Sequence, residues 1–458
     1  MHEADLPRIE TAITDQGERA SFLTGSTTSE NNLEIPLKQA IAHALRRLGP
    51  CLILMYVVSF LDRANIGFAK QALAASEGIS EKVYALGAGL FFISYSLCGF
   101  PSNLILHKVG AKIWIALLMV CWGSVSMATM FVSGSTSFYL LRMLLGVMEA
   151  GFFPGVILYL TYWFPARARG QILGLFYLGV PLALIIGGPL SGILLDLPPY
   201  LGLHGWQWMF LVEGFLALCI GVLAFCFLDN RPADARWLNA DERLALQTAL
   251  IHEEKQRRST GPAEILPMLR NRRVQRFFLI YVLIQISTYG AVFYLPAEVS
   301  ALLHKPAGVE VGLVSAAPWM CALIAVYFLP RAADRFGKHR QLAAWGLLVA
   351  GCASLVFPSA GPLTALIALS IAVSGFIAVQ PLFWTLPTGY LADRAAAGGI
   401  AVIGMGNLGG FIAPNLKVWA DEYFASKSAG LYLLAGLTLV NAWLMATAKD
   451  RVVQRPSL

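Results

Sequence analysis

Charge is the scarcest thing in this sequence. Lys, Arg, Asp and Glu make up 13% of its 458 residues, about half the share of an ordinary soluble domain. That shortage excludes a conventional globular chain, and a 57% hydrophobic share with mean hydropathy +0.64 points the same way. Cysteine is present but without pattern. All seven, at 51, 98, 121, 219, 226, 321 and 352, fall in apolar stretches with no CxxC or alternating Cys/His spacing. They read as small core hydrophobes, and neither disulfides nor a metal site is expected. No loop carries GxxxxGK[ST], which argues against a nucleotide-driven pump. A membrane enzyme or a sensor would need a nucleophile with its base, a metal constellation or an appended signalling domain, and none is visible. The expectation is no enzyme, no cofactor and no metal.

What is there is long apolar runs. A membrane-spanning helix needs roughly 20 mostly apolar residues, because lipid offers the backbone no hydrogen-bonding partner. Such runs lie at 50–70, 84–106, 112–133, 138–160, 170–194, 208–228, 276–298, 310–330, 341–358, 362–386, 397–420 and 428–448. The expected architecture is therefore an all-α membrane protein with twelve transmembrane helices. Residues 1–45 are polar and read as a disordered cytoplasmic tail with no cleavable leader. Bundles of six helices follow at 46–228 and 274–448, joined by a linker at 229–273 that carries a charged amphipathic helix; 449–458 form a second tail. Trp114, Trp163, Trp206 and Trp208, near span ends, fit interfacial belts.

The net charge of +7 would suit a nucleic-acid binder if its cations were clustered on one surface. They alternate by loop instead. If the termini and every second loop share one side, only Lys70, Lys82, Lys305, Lys417 and Lys427 remain for the other, and Arg63 and Arg142 lie within spans. The positive-inside rule puts both termini in the cytoplasm. The expected partners are the lipid bilayer and a small organic anion, with no nucleic acid. The expected form is a monomer in the cell's inner membrane.

Shifting the sequence by 227 residues aligns Gly110 with Gly337, Lys108 with Arg335, Pro154 with Pro381 and Arg167 with Arg394. Four coincidences at helix breakers and loop cations indicate two pseudo-symmetric halves. Secondary transporters are commonly built so, with the binding site where the halves meet. The same shift exposes an asymmetry. Asp62, Arg63, Arg142 and Glu149 face Tyr289, Gly290, Leu369 and Phe376, so the ionisable chemistry belongs to the first half. The second half offers Gln285, Tyr289, Trp319, Gln380 and Trp384 as a hydrogen-bonding and aromatic wall.

An ionisable group at membrane depth costs about 2.5–3.5 kcal/mol on insertion scales and by default faces a cavity. Asp62 and Arg63 are adjacent in the first span and point about 100° apart, so they need not neutralise each other. The competing reading is a buried ion pair that fixes packing. Arg142 and Glu149, seven residues apart, share one helix face at about 10 Å separation, too far to bond directly. Glu149 reads as a proton carrier or as a structural acid tied to a neighbouring helix. Arginine suits a carboxylate because its planar fork donates two parallel hydrogen bonds and stays charged. The reading is that Arg63 holds a substrate carboxylate while Asp62 and Glu149 exchange protons.

FLDRANIGFA (60–69), YSLCGFPSNLILHKVGAK (95–112), LRMLLGVMEAGFFPG (141–155), YWFPARARG (162–170) and GWQWMFLVEG (205–214) resemble the anion:cation symporter family of the major facilitator superfamily. LPRAADRFGKHR (329–340) resembles that superfamily's loop motif. Within the family, FAKQ, YALGAGLFF, GLFYLGVPLAL, GFIAVQPLFWTLPT and FASKSAGL look most like bacterial rhamnonate (sugar-acid) transporters. The 4-hydroxyphenylacetate permeases are also similar. The resemblance implies the major facilitator fold and proton-coupled import. It makes Asp62 and Glu149 protonation sites, Arg63 the carboxylate ligand and Arg142 a coupling residue, with Tyr95 and Trp384 lining the substrate site. Two departures matter: a fifth-helix Gln is replaced by Val180, and of an INSxGN motif only Asn407 survives in VIGMGN. Fewer partners for hydroxyls leave room for a deoxy sugar acid, an aromatic (4-hydroxyphenylacetate or phthalate-like) acid or tartrate. Proton-coupled efflux is the remaining alternative.

Overall fold

The computed structural model describes residues 26–258, 270–390, 399–400 and 402–448. The first half contains α1 (Ser26–Glu77), α2 (Glu81–Val109), α3 (Ala111–Ala128), α4 (Gly134–Glu149), α5 (Phe152–Trp163), α6 (Ala166–Tyr177), α7 (Gly179–Leu195) and α8 (Gly205–Phe227). A linker helix, α9 (Ala240–Arg258), leads to α10 (Arg272–Leu303), α11 (Val309–Phe336), α12 (His339–Val356), α13 (Pro362–Tyr390), α14 (Gly409–Tyr423) and α15 (Ala429–Ala446).

Apart from the linker helix α9, prolines explain why the helices outnumber the spans. Gly134–Trp163 is one apolar run, broken at Ala150–Gly151 because Pro154 cannot donate the N–H that the Ala150 carbonyl would receive. Pro181 interrupts the Gly174–Leu195 run at Leu178 in the same way. Among the described residues, eleven helices are long and apolar enough to cross a membrane. The twelfth expected segment, 397–420, appears as a 3-10 turn at Met405–Leu408 running into α14, which is only 15 residues long.

The first helix begins earlier than the composition suggests. Its 52 residues would reach about 78 Å, far more than the ~30 Å of hydrocarbon. Ala40, Ala44 and Leu48, spaced four apart, are buried, and the same stretch meets the linker helix through His43 and Glu242, 3.0 Å apart. The boundary of the polar tail at residue 45 is therefore too late. Polar outer faces disguised a short stripe of small apolar residues; residues 1–25 lie outside the described part. Two more readings change. Trp163 and Trp206 are buried packing residues, Trp163 stacking on Trp237 with ring centroids 5.4 Å apart. Cys219, Cys226, Cys321 and Cys352 lie exposed on outer helix faces rather than in the core.

The repeat has a conformational counterpart. Gly110 and Gly337 end α2 and α11 with φ of 94° and 64°, a region where only glycine rests without strain. Arg394 lies outside the described residues.

The halves are joined at one end. There Gln71 donates to Ser300 (2.9 Å), the Val309 amide to Asp196 (2.7 Å) and Tyr84 to the Phe293 carbonyl (3.3 Å), while Lys82 pairs with Glu422 (3.0 Å). Backbones touch where α7 crosses α11: a Cβ built on Gly312 would lie 2.2 Å from the Gly188 carbonyl oxygen. Gly312→Leu should pry this end open. In a background without native cysteines, a cysteine at position 71 should then react several-fold faster with a membrane-impermeant maleimide. Unchanged labelling would place the closing contact elsewhere.

Candidate functional site

Four buried charges from two helices meet near the middle of the first half, and helical spacing puts them there. On α1, Ser59 and Arg63 are one turn apart, so both reach toward the same acid on α4. That acid is Glu149, fully buried at 0% exposure. Its Oε1 receives Arg63 Nε at 2.7 Å and Arg63 Nη2 at 2.6 Å, and Ser59 Oγ donates to the same oxygen. Glu149 Oε2 has no hydrogen-bond partner. The third guanidinium nitrogen, Nη1, donates to the Tyr289 hydroxyl across the junction of the halves, at 3.3 Å. Arg63 therefore links the acid of one half to the aromatic wall of the other.

Three rings surround the Arg63 guanidinium: Tyr95 at 4.9 Å, Phe60 at 5.1 Å and Phe91 at 5.5 Å. Phe91 also lies 5.2 Å from the Arg142 guanidinium, so one ring serves both cations. Arg142 is itself buried, and its Nε and Nη2 have no hydrogen-bond partner. No ion pair closes between Arg142 and Glu149. The seven-residue separation reads correctly as too long, and Arg63 takes the acid instead. Asp62 turns away from Arg63: its Oδ1 accepts from Ser126 Oγ on α3 at 2.7 Å, and its Oδ2 has no partner.

The second half supplies a stripe on α10. Gln285 and Tyr289 are one turn apart, and Tyr281 precedes them by another. Gln285 Nε2 donates to Asn407 Oδ1 at 2.6 Å and leaves its own Oε1 unpaired. Gln380 Nε2 donates to Thr288 at 3.3 Å. Trp384 meets Tyr281 edge to face at 5.0 Å, with its indole nitrogen buried and unpaired. Trp319 stands apart: it is buried in the packing of α11, and among the described residues no hydrogen bond or ring contact joins it to the Arg63 cluster. Val180 is buried too.

Three residues escape a reading of the sequence. Ser59 and Tyr281 carry a signal, since each sits four residues from a residue already singled out. Glu213 lies inside GWQWMFLVEG and is fully buried, its Oε1 accepting from Ser191 at 2.7 Å. Its signal was the same as that of Glu149, an acid within an apolar span.

A buried arginine with an internal carboxylate on it, unpaired polar atoms and an aromatic wall thus come together between the two helical bundles. Comparisons with known proteins agree with the architecture. The family model of the Major Facilitator Superfamily matches residues 52–414. The chain is 44% identical to the inner membrane transport protein RhmT of Escherichia coli (strain K12), over 88% of this chain and 94% of that one. It is 42% identical to a putative tartrate transporter of Agrobacterium vitis, over 90% and 91% respectively. Among solved structures, the D-xylose-proton symporter superposes with a TM-score of 0.67 at 16% identity, covering 90% of this chain and 99% of that one, a likeness of fold alone. The chain therefore belongs to the Major Facilitator Superfamily, as a multi-pass integral membrane transporter and not an enzyme.

Proposed function

We propose that this protein is a proton-coupled symporter that imports a small organic monoanion, a sugar acid of the aldonate type such as rhamnonate, by alternating access. The observation that carries the reading is the Glu149 carboxylate lying on Arg63. Arg63 can offer its fork to one carboxylate at a time. While Glu149 is ionised it occupies that fork. A proton on Glu149 removes its charge and frees Arg63 for the carboxylate of the substrate, so proton and anion load together and net charge in the site stays low. Arg142, with unpaired donors beside Phe91, keeps the site cationic throughout.

The second half would then read the body of the substrate. Gln285, Gln380 and Asn407 offer amide groups to hydroxyls, and Tyr281, Tyr289 and Trp384 offer aromatic faces to its carbon skeleton. Rhamnonate suits this division because its methyl group meets the apolar part of the wall. The relative whose name specifies tartrate supports a hydroxy-acid substrate. The sealed end lies opposite the Arg-rich loops. With both termini in the cytoplasm of a bacterial inner membrane, the sealed end faces outward and the site would empty inward. A single chain holds every group this scheme requires, so a monomer suffices.

Three measurements test the scheme. Purified protein screened for thermal stabilisation against sugar, aromatic and dicarboxylic acids should be stabilised most by an aldonate, since a ligand selective for the folded state raises apparent stability. A panel in which an aromatic acid alone stabilises would move the substrate class. Glu149→Gln, which mimics the protonated acid, should lose uphill uptake by about 10-fold or more yet retain exchange of labelled for unlabelled substrate; undiminished uphill uptake would remove Glu149 from the coupling. Arg63→Ala should weaken substrate binding by about 10- to 100-fold, the worth of a charge-assisted pair of hydrogen bonds at roughly 1.5–3 kcal/mol. Unchanged affinity would mean that another cation, Arg142 first, holds the carboxylate.

A further inference from the structure

A second buried acid lies outside this scheme. Glu213 is the one charged residue of α8, and it faces Asp62 of α1. The two are brought together by a backbone contact between α3 and α8: a Cβ on Gly123 would lie 2.7 Å from the Gly214 carbonyl oxygen, so neither position has room for a side chain. That contact sets Ser126, one turn after Gly123, and Glu213, beside Gly214, against the same face of α1. The face carries Asp62 and, three residues on, Asn65. Asn65 lies beside Glu213, and the Trp122 indole lies beside Asp62.

The hydrogen-bond accounting in this cluster does not close. Ser126 donates to Asp62 and Ser191 donates to Glu213, which satisfies one oxygen of each acid. Asp62 Oδ2, Glu213 Oε2, both amide atoms of Asn65 and the Trp122 indole nitrogen are all buried without partners. Asn65 is 1% exposed. The Asn65 amide and Trp122 indole can only offer N–H groups to the free acid oxygens, and the Asn65 Oδ1 can only accept. A carboxyl group that carries a proton adds an O–H donor to the set.

Charge is what calls for that proton. Two carboxylates facing one another in an apolar interior repel strongly when both are ionised. The other charged groups that face Asp62 are Glu149 and Arg142 on α4, and Arg63 beside it on α1 is taken by Glu149. Within the membrane stretch of α3 and along α7 and α8 there is no basic residue. A metal cation is a poorer occupant than a proton, since the Asn65 amide and Trp122 indole donors would oppose it.

We propose that Asp62 and Glu213 hold one proton between them, bridged by Asn65, as a proton-binding station separate from the Arg63–Glu149 pair. The proton comes from solution, bonds to an oxygen of either acid and returns to solution when the site empties; no other bond is made or broken. The proposal rests on the proton-coupled reading above and extends it, since a second station gives the carrier capacity for a second proton per cycle.

The test needs no substrate. The full chain in lipid nanodiscs is titrated with pH while the C=O stretch of protonated carboxyls is followed by infrared difference spectroscopy. Glu213→Gln and Asp62→Asn should each abolish the same titrating carboxyl, with the double variant removing no more than either single one. If the Glu213→Gln spectrum titrates as the native one does, or if the two variants remove different signals, the shared proton is refuted. A signal that responds to sodium ions at fixed pH also refutes it, in favour of a cation site. Should Glu213→Gln fail to fold, Ser191→Ala withdraws the hydrogen bond to Glu213 while keeping the acid. Its titration midpoint should shift, and an unshifted midpoint overturns the proposal. Failure of every acid in the transport panel, with this carboxyl signal intact, would sink the symport reading alone.

Discussion

A guanidinium and a carboxylate held together where water is scarce organise this molecule. Each alone would be costly at membrane depth, and together they cost less only while geometry keeps them in contact. Removing one partner of such a pair leaves a bare buried charge, a penalty of about 3–5 kcal/mol. That penalty gives Arg63 and Glu149 their leverage. Any event that neutralises the acid, or offers the arginine another anion, changes the energy of the site by several times the thermal energy. Because Arg63 also reaches Tyr289 on the opposite half, the change is felt at the junction of the two halves.

The rest of the architecture serves to hold that pair in place and to close one side of it. Gly188 against Gly312 lets two helices approach to backbone contact, so the sealed end is a fit of surfaces rather than a strong bond. Gln71, Asp196 and Tyr84 add neutral or singly charged hydrogen bonds across the same seam. Contacts of this kind contribute about 1 kcal/mol each and are readily exchanged for water. These polar contacts sit beside apolar packing that is continuous across the halves, from Phe68, Leu73 and Leu194 to Phe293, Val299 and Val311.

The named relatives are bacterial membrane transport proteins, and the cluster at the junction of the halves is made of arginine, amides and aromatic rings. Among the buried polar atoms left without partners are one group around Arg142, Gln285 and Trp384 and another around Asp62 and Glu213. The first group borders the junction of the halves, and the second is enclosed within one bundle. The adjacent residues Asp62 and Arg63 join the two.

Much of this could be read directly from the chain. Run length set the spans, because lipid forces every backbone group to bond within its own helix; the breaks inside 138–160 and 170–194 came only with the structure. Glycines that align at a shift of 227 residues marked the repeat, since each ends a helix in a conformation other residues avoid. The rarity of charge within the spans singled out Asp62, Arg63, Arg142 and Glu149. Partnership was not legible. Seven residues along one helix tie Arg142 to Glu149 on paper, yet the acid bonds to Arg63, 86 positions earlier. Which charge meets which depends on how helices cross, and the crossings depend on distant glycines such as Gly123 and Gly214. Glu213 shows the same limit: the sequence determined that an acid would be buried there, and only packing decided that it would face Asp62 rather than a cation.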